Sequence, residues 1–538
     1  MLPKMKVHEF SKIAISNLSA SDQLLFESFG QGPCVDVPHA CIHHAFEAQA
    51  LANPHAVAAQ HLEDHMTYLD LDRHANRLAS HLAELGVSTG ESVALFVHRS
   101  IPMVVGMLAA LKAGAAYVPQ HVGVAPEEQL RHVIQAASTR VILTLSSLRH
   151  LIPVPQGHVC IAIDEFMQDM PDDKSPYTTA FKPAIEVRRD DRCFILFTSG
   201  TTGVPNGVQI THANVRNILL TQPGSLGMRP SMKVGQILNI AFDMAAWETL
   251  GCLAHGATLV IRGKDFQKVA ETVDIIIATP SILGTLDADK CRNVKTVAVA
   301  GEPCPRPLAD KWAAFCTFYN SCGPTETTIV NTVQHYMMSS GRLNIGKPTP
   351  NNTVYVLDER MKPCAIGETG EMWAGGECVS AGYLHNDQLN KERYAPDPFL
   401  GKGRMMFRTR DLGRWTMEGE LEHLGRVDDQ VKIRGFRVEL DSVSAVMEST
   451  PSCTHAVALK LDNRNLVGFV CPATVDVEAA RQKVSAALPY YCTPAFVIAM
   501  DSFPMTSRGK IDKRVLMAIA VDIQKATESL VAPVEVFA

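Results

Sequence analysis

The sequence predicts an α/β chain: a large N-terminal part with parallel-rich sheets flanked by helices, then a small α+β C-terminal domain. Three observations carry this. Short runs without a polar face recur at 93–97, 141–145, 274–277 and 296–300, as strands covered on both sides require. Between them apolar residues fall at helical spacing, as in Leu71, Ala75, Leu78, Leu82 and Leu85 before Gly86, where a glycine cap is expected. From about residue 427 the texture changes, and 431–440 alternates like a half-exposed strand or hairpin.

Taken in order, residues 1–42 mix polar and apolar types without a long period and read as a leading linker. Structure is expected from His43, with a helix over 71–85, a strand over 93–97 and a helix over 104–112 closed by Gly114. Another helix opens at Pro126 and leads to the strand 141–145. The large subdomain runs over 43–427, the small one over 428–520, and 521–538 reads as a tail. In the small subdomain an amphipathic stretch (443–448), two strands (456–461 and 466–470), a helix (477–488) and a basic end (508–514) are expected.

A chain of 538 residues exceeds the ~250–300 residues at which single cores stop growing, so more than one domain is required. Fifty basic against 56 acidic residues leave a net charge of −6, which gives no sign of nucleic-acid or anionic-membrane binding. The longest apolar run, 101–111, is far short of the ~20 residues of a spanning helix. With no apolar signal core at the N-terminus, a cytoplasmic protein is expected. Fourteen cysteines without a C-x-x-C pair suggest neither a zinc site nor a redox motif, but free thiols in a reducing compartment.

The stretch 194–207 holds the chemistry. Four apolar residues read as a buried strand, followed by Thr198, Ser199, Gly200, Thr201, Thr202 and Gly203. Glycines admit close backbone approach, and a series of N–H groups with hydroxyls suits phosphate oxygens. G-x-x-x-x-G-K-[ST] is absent, so this is not a Walker A loop. An ordinary surface loop has the same composition, and the decision rests on the motifs downstream.

Those motifs stand at 242–248, 300–303, 320–328, 407–412, 425–435 and 504–512, with further ones at 111–119 and 370–383. In this order and spacing the chain, from about 43 to 516, resembles the adenylate-forming enzymes, specifically the adenylation domains of nonribosomal peptide synthetases. Residues 18–30 resemble the linker after a condensation domain in fungal multimodular synthetases. That resemblance implies a domain excised from a larger synthetase, with carrier-protein and condensation domains as partners.

The family reaction joins a carboxylate to the α-phosphorus of ATP, releases pyrophosphate, and passes the acyl group to a phosphopantetheine thiol. The resemblance implies ATP and Mg²⁺ as cofactors. It implies that 198–203 hold the β- and γ-phosphates, Thr325 the α-phosphate and Glu326 the Mg²⁺. Gly301, Glu302 and Asn320 would line the adenine, with Asp411 on the ribose hydroxyls and Arg426 at the nucleotide. Lys510 would be the electrostatic catalyst bridging carboxylate and α-phosphate, and Asp428 the hinge. Without the motifs, Lys510 is a solvated charge, Asp411 and Asp428 are turn residues, and Glu326 is a carboxylate at a helix start.

Asp243 is the substrate clue, since in the family an aspartate there pairs with an α-ammonium, and a buried carboxylate is costly without a cation. The other matching pocket positions are Met244, Trp247, Ile277, Ala298, Ala300, Ser321, Ile329 and Val330. Two alanines and a serine leave room for a bulky or modified amino acid, such as the acylated hydroxyornithines of siderophores. Four positions depart from the family pattern: Asn206 replaces a lysine, Cys322 an aromatic, and Arg410 and Asp441 glycines. Two other readings stay open: a degenerate, non-catalytic scaffold, and a stand-alone acyl- or aryl-CoA ligase.

Overall fold

The computed structural model describes residues 10–168, 181–200, 204–340, 342–401, 403–506 and 511–531. The chain divides into two compact units. The first comprises Met1–Val122, Leu130–Thr198 and Asn206–Asp428, the second Gly123–Gln129, Ser199–Pro205 and Asp429–Ala538.

Two sheets dominate the first unit. Their strands in chain order are β1 (Val57–His61), β2 (Asp64–Thr67), β3 (Ser92–Val97), β4 (Ala116–His121), β5 (Val141–Thr144), β6 (Val159–Ala162), β7 (Arg192–Thr198) and β8 (Asn206–Thr211). There follow β9 (Lys233–Gln236), β10 (Thr258–Ile261), β11 (Ile275–Ala278), β12 (Thr296–Val299), β13 (Thr317–Cys322), β14 (Thr332–Tyr336) and β15 (Lys347–Pro348). One sheet has the order β6-β5-β3-β4-β7-β8, the other β15-β14-β13-β12-β11-β9-β10-β1-β2. The central pairings are parallel, and β1–β2, β7–β8, β13–β14 and the edge pair β14–β15 are antiparallel. The runs read as two-face buried are so: every residue of β3, β5, β11 and β12 is buried. A third, antiparallel sheet is built from 352–357, 370–376, 394–396, 405–415 and 421–426.

The local signals explain the helix ends. Thr67 accepts from the Asp70 amide and starts the helix Tyr68–Glu84, and Gly86 follows it at φ +83°, the left-handed geometry that glycine adopts without strain. The helix expected over 104–112 begins earlier, at Ile101, because Ser100 caps it and proline occupies its first turn.

The leading segment is not a linker. Ala20–Phe29 is a helix capped by Ser19, and Phe10, Ile15, Leu18 and Phe26 share a buried cluster with Tyr355, Trp373 and Phe399 of the third sheet and its flanks. This ten-residue helix buries only Phe26, so it carries no apolar stripe to be read from sequence; the aromatic anchors supply the stability instead.

In the second unit the hairpin Gln430–Ile433/Phe436–Glu439 precedes a three-stranded sheet of His455–Lys460, Leu466–Cys471 and Phe496–Ala499. Alternation along these strands sends Ala456, Ala458 and Val470 into one core and Val457, Leu459 and Phe469 into another. The second core is closed by Leu516 and Ala520 of the helix Lys513–Val531. Residues 521–531, read as tail, therefore continue a structural helix. No helix among the described residues is long and apolar enough to cross a membrane, and none of the fourteen cysteines forms a disulfide.

Phe26 is fully buried and its ring lies 6.1 Å from Tyr355 and 5.6 Å from Phe399. Phe26→Ala is expected to lower stability by about 3–5 kcal/mol, read from the urea midpoint. A change below about 1 kcal/mol would return the segment to linker status.

Candidate active site

The carboxyl ends of parallel strands are where open α/β sheets gather ligands, and the predicted pocket residues fall there. β11 and β12 pair in register with Ile277 opposite Ala298, and β12 and β13 with Val299 opposite Asn320. Ala300 and Gly301 follow β12 directly, and Gly301 takes φ +87°. Met244, Trp247, Ile277, Ala298, Ala300, Ile329 and Val330 belong to one contiguous buried cluster. Trp247 is fixed by its indole N–H donating to the Gly224 carbonyl at 2.6 Å. Asp243 occupies the first turn of the helix Asp243–Ala254 and is only 9% exposed, at the end where the helix dipole favours a negative charge. The hydroxyl of Ser321 is buried and has no hydrogen-bond partner within the described structure.

The loop after β13 is locally strained. Thr325–Thr327 forms a single 3₁₀ turn, and Thr328 and Ile329 follow with φ of +54° and +71°, uncommon for β-branched residues. The hydroxyl of Thr328, donating to the Cys378 carbonyl at 2.8 Å, holds this geometry. Glu326 is fully buried; its Oε1 accepts from the Tyr383 hydroxyl at 2.5 Å, and its carbonyl accepts from the Ser380 amide. In the sequence Tyr383 stands only as the end of a motif; in the fold it is the group that orients the proposed metal ligand. A buried carboxylate of fixed direction is a hard oxygen donor of the kind Mg²⁺ takes.

The nucleotide-side residues separate into two kinds. Asn320 donates to the Asn344 carbonyl at 2.6 Å, and Glu302 accepts from the Ser281 amide at 2.9 Å, so both side chains organise neighbouring backbone. Asp411 and Arg426 face each other across paired strands, and Arg426 Nη1 donates to Asp411 Oδ1 at 2.6 Å. His423 Nε2 lies 3.3 Å from the same oxygen. Burial pushes the Asp411 carboxyl up, but the His423 hydrogen bond and the Arg426 charge outweigh it and hold the group below the ordinary aspartate range. Arg426 also grips both oxygens of Asp428, at 2.7 and 2.9 Å.

Thr198 closes β7, paired with Asn206. Asn206 Oδ1 accepts from Asn386 at 2.9 Å, so the residue standing in the lysine position is tied to a neighbouring amide. Ser199 and Gly200 fall in the second unit. Thr201, Thr202, Gly203 and Lys510 lie outside the described residues.

Cys41, His43 and His212 bring their donor atoms within 4.8 Å of one another in the interior. The Ile42 amide donates to His212 Nδ1 at 3.4 Å, which puts that ring's proton on Nε2, and burial pushes the imidazole down to about 3. Neutral packing of the two helix starts accounts for the group.

Sequence reasoning gave no role to Glu248, the last residue of the 242–248 motif. It is fully buried and accepts from the amides of Ile237 and Leu238 at 2.8 and 3.1 Å and from Gln236 Nε2 at 3.0 Å, fixing the end of β9 beside the Asp243 helix.

Comparison with known proteins gives the family. The model of the AMP-binding enzyme family matches residues 46–384. The chain is 46% identical over 517 residues to adenylate-forming reductase 06235 of Coprinopsis cinerea, covering 96% of this chain and 50% of that protein. It is 31% identical to the nonribosomal peptide synthetase sirP of Leptosphaeria maculans, over 97% of this chain and 24% of the relative. Among solved structures, a nonribosomal peptide synthetase protein containing adenylation and PCP domains superposes with a TM-score of 0.76 at 23% identity, covering 89% of this chain and 84% of that one. The chain therefore belongs to the AMP-binding enzyme family, the adenylate-forming enzymes, and is of the adenylation type found in nonribosomal peptide synthetases. It spans about half the length of the curated reductases it matches.

Burial pushes the Glu248 carboxyl up to about 8, against the opposing pull of the Ile237 and Leu238 amides and the Arg99 charge. A group protonated in the fold but ionised when unfolded stabilises most below the ordinary glutamate range, and loses that contribution as pH rises toward the folded value. Relative to Glu248→Gln, the parent should lose on the order of 1 kcal/mol per pH unit between about pH 5 and 8. Urea midpoints of both proteins across that range check it; a pH-independent difference would contradict the assignment.

Proposed function

We propose that this chain activates an α-amino acid as its aminoacyl adenylate, with release of pyrophosphate, and passes the acyl group to the phosphopantetheine thiol of a carrier protein. The observation that carries the reading is Asp243, a buried carboxylate at the edge of an otherwise apolar cluster. A buried anion at that place suits an ammonium ligand, which an amino acid supplies.

The reaction brings two anions together, so the site must neutralise charge and fix direction. Thr325 donates to the α-phosphate, the glycine loop 198–203 cradles the β- and γ-phosphates, and Gly301, Glu302 and Asn320 border the adenine. Glu326, aimed by Tyr383, would hold Mg²⁺, which when bound offsets phosphate charge. Asp411 accepts from the ribose hydroxyls, steadied by Arg426. Lys510 bridges carboxylate and α-phosphate oxygens as charge develops, and rotation at Asp428 brings it in and withdraws it. The carboxylate attacks the α-phosphorus, forming the acyl–phosphate bond as the bond to pyrophosphate breaks; the carrier thiol then displaces AMP.

The small side chains of Ala298 and Ala300 leave space, and the unpaired Ser321 hydroxyl favours a substrate side chain with a polar atom. A bulky, modified amino acid such as an acylated hydroxyornithine, a siderophore building block, meets both features. A second reading concerns the fate of the thioester: the identity to a protein named adenylate-forming reductase favours delivery to a reducing domain rather than a condensation domain.

ATP–pyrophosphate exchange across a panel that includes hydroxamate amino acids tests the reading. Exchange is expected with bulky amino acids; activation of only Gly or Ala would overturn the side-chain assignment. Exchange with non-amino acids alone would point to a CoA ligase, and none with any carboxylate to a scaffold. Lys510→Ala is expected to lose on the order of 10²–10³-fold in exchange rate, and near-normal exchange would refute its role.

A further inference from the structure

Arg410 lies one residue before Asp411 in the strand Met405–Trp415 and takes φ +62°. A side chain other than glycine is rarely found there, and glycine would be held at no steric cost. Its backbone carbonyl accepts from the Val427 amide at 3.0 Å. Its guanidinium pairs with Glu392 and, through Nη1, reaches Asp428 Oδ2 at 3.6 Å. Asp428 is in turn gripped by Arg426, and Arg426 donates to Asp411. Five side chains of the first unit thus alternate in sign: Glu392, Arg410, Asp428, Arg426, Asp411.

We propose that Arg410 is a positioning residue for nucleotide binding, acting on Asp411 through this chain of charges. Asp428 and Asp411 compete for the single guanidinium of Arg426. Arg410 gives Asp428 a second cation and so leaves Arg426 Nη1 directed at Asp411. Without Arg410, Asp428 loses one of its cations and draws Arg426 more strongly toward itself, and Asp411, left to His423 and a shared Arg426, turns less rigidly toward the ribose hydroxyls. Extra negative charge beside an anionic nucleotide acts in the same direction. An arginine at a glycine-favouring backbone position is then explained by its charge.

The inference rests on Asp411 as the ribose acceptor, and the experiment separates the two. Steady-state exchange is measured for the parent, Arg410→Gly, Arg410→Lys, Glu392→Gln and Asp411→Asn, with thermal unfolding of each. Arg410→Gly relieves the backbone, so it should fold at least as well as the parent, while KM for ATP rises roughly 3- to 5-fold, the size of a part-exposed ion-pair coupling, with kcat little changed. Arg410→Lys should recover part of the KM, since it keeps the charge but not the fork that serves two carboxylates. Glu392→Gln should move KM less than Arg410→Gly. If Asp411→Asn raises the KM for ATP and Arg410→Gly does not, the positioning role is wrong. If Asp411→Asn leaves the KM unchanged, the ribose reading fails and the inference with it. A kcat loss in Arg410→Gly that tracks a fall in thermal stability would assign Arg410 a structural role only.

Discussion

A carboxyl group withdrawn from water must be given donors or a cation, and that requirement organises this protein's site. Glu248 is met by two backbone amides and Gln236, Glu326 by Tyr383, and Asp411 by Arg426 and His423. Each pairing joins separate segments: Glu326 to the segment around 383, Asp411 to the strand Leu421–Arg426, and the Asp243 helix to β9. The parallel strands supply a rigid rim, and these carboxyl groups pin to it the loops proposed to reach the nucleotide and the substrate. Unpaired, any one of them would cost several kcal/mol of stability, so the same contacts that shape the site also stabilise the fold around it.

The departures from the family pattern make physical sense in this frame. Asn206 forgoes a lysine's charge but finds a partner in Asn386, which leaves the phosphate loop to backbone, hydroxyls and metal. Cys322 forgoes an aromatic surface worth about 1 kcal/mol against a stacked ring. Arg410 adds a charge where a glycine would serve the backbone better, inside the ion-pair chain that ends on Asp411. On the proposed reading the first two weaken nucleotide affinity and the third offsets part of that loss.

Much of the α/β architecture was legible because a parallel sheet buried on both faces writes itself as uninterrupted apolar runs, as in β3, β5, β11 and β12. Helix starts with proline and serine caps were read late, as at Ile101, because periodicity begins only after the cap. The folded leading segment was invisible: Phe10 and Phe26 are stabilised by Tyr355 and Phe399 more than 300 residues away, and no local pattern encodes such a partner. The helix through 521–531 was missed for the same reason, since its anchors Leu516 and Ala520 pack on a sheet rather than signalling themselves. For the proposed site, residue types at motif spacing single out Asp243, Glu326 and Asp411 as candidates, but not their neighbours Tyr383 and His423, nor Glu248. Those roles depend on three-dimensional partners that spacing does not specify.

The central claim is that Asp243 receives an α-ammonium in a pocket built at the carboxyl ends of β11, β12 and β13. The most direct measurement is pyrophosphate exchange with the best amino acid and with its analogue lacking only the α-amino group, in the parent and in Asp243→Asn. The account predicts strong preference for the amino acid in the parent and loss of most of that preference in the variant. Equal use of the two substrates by the parent, or a preference that survives Asp243→Asn undiminished, would contradict it.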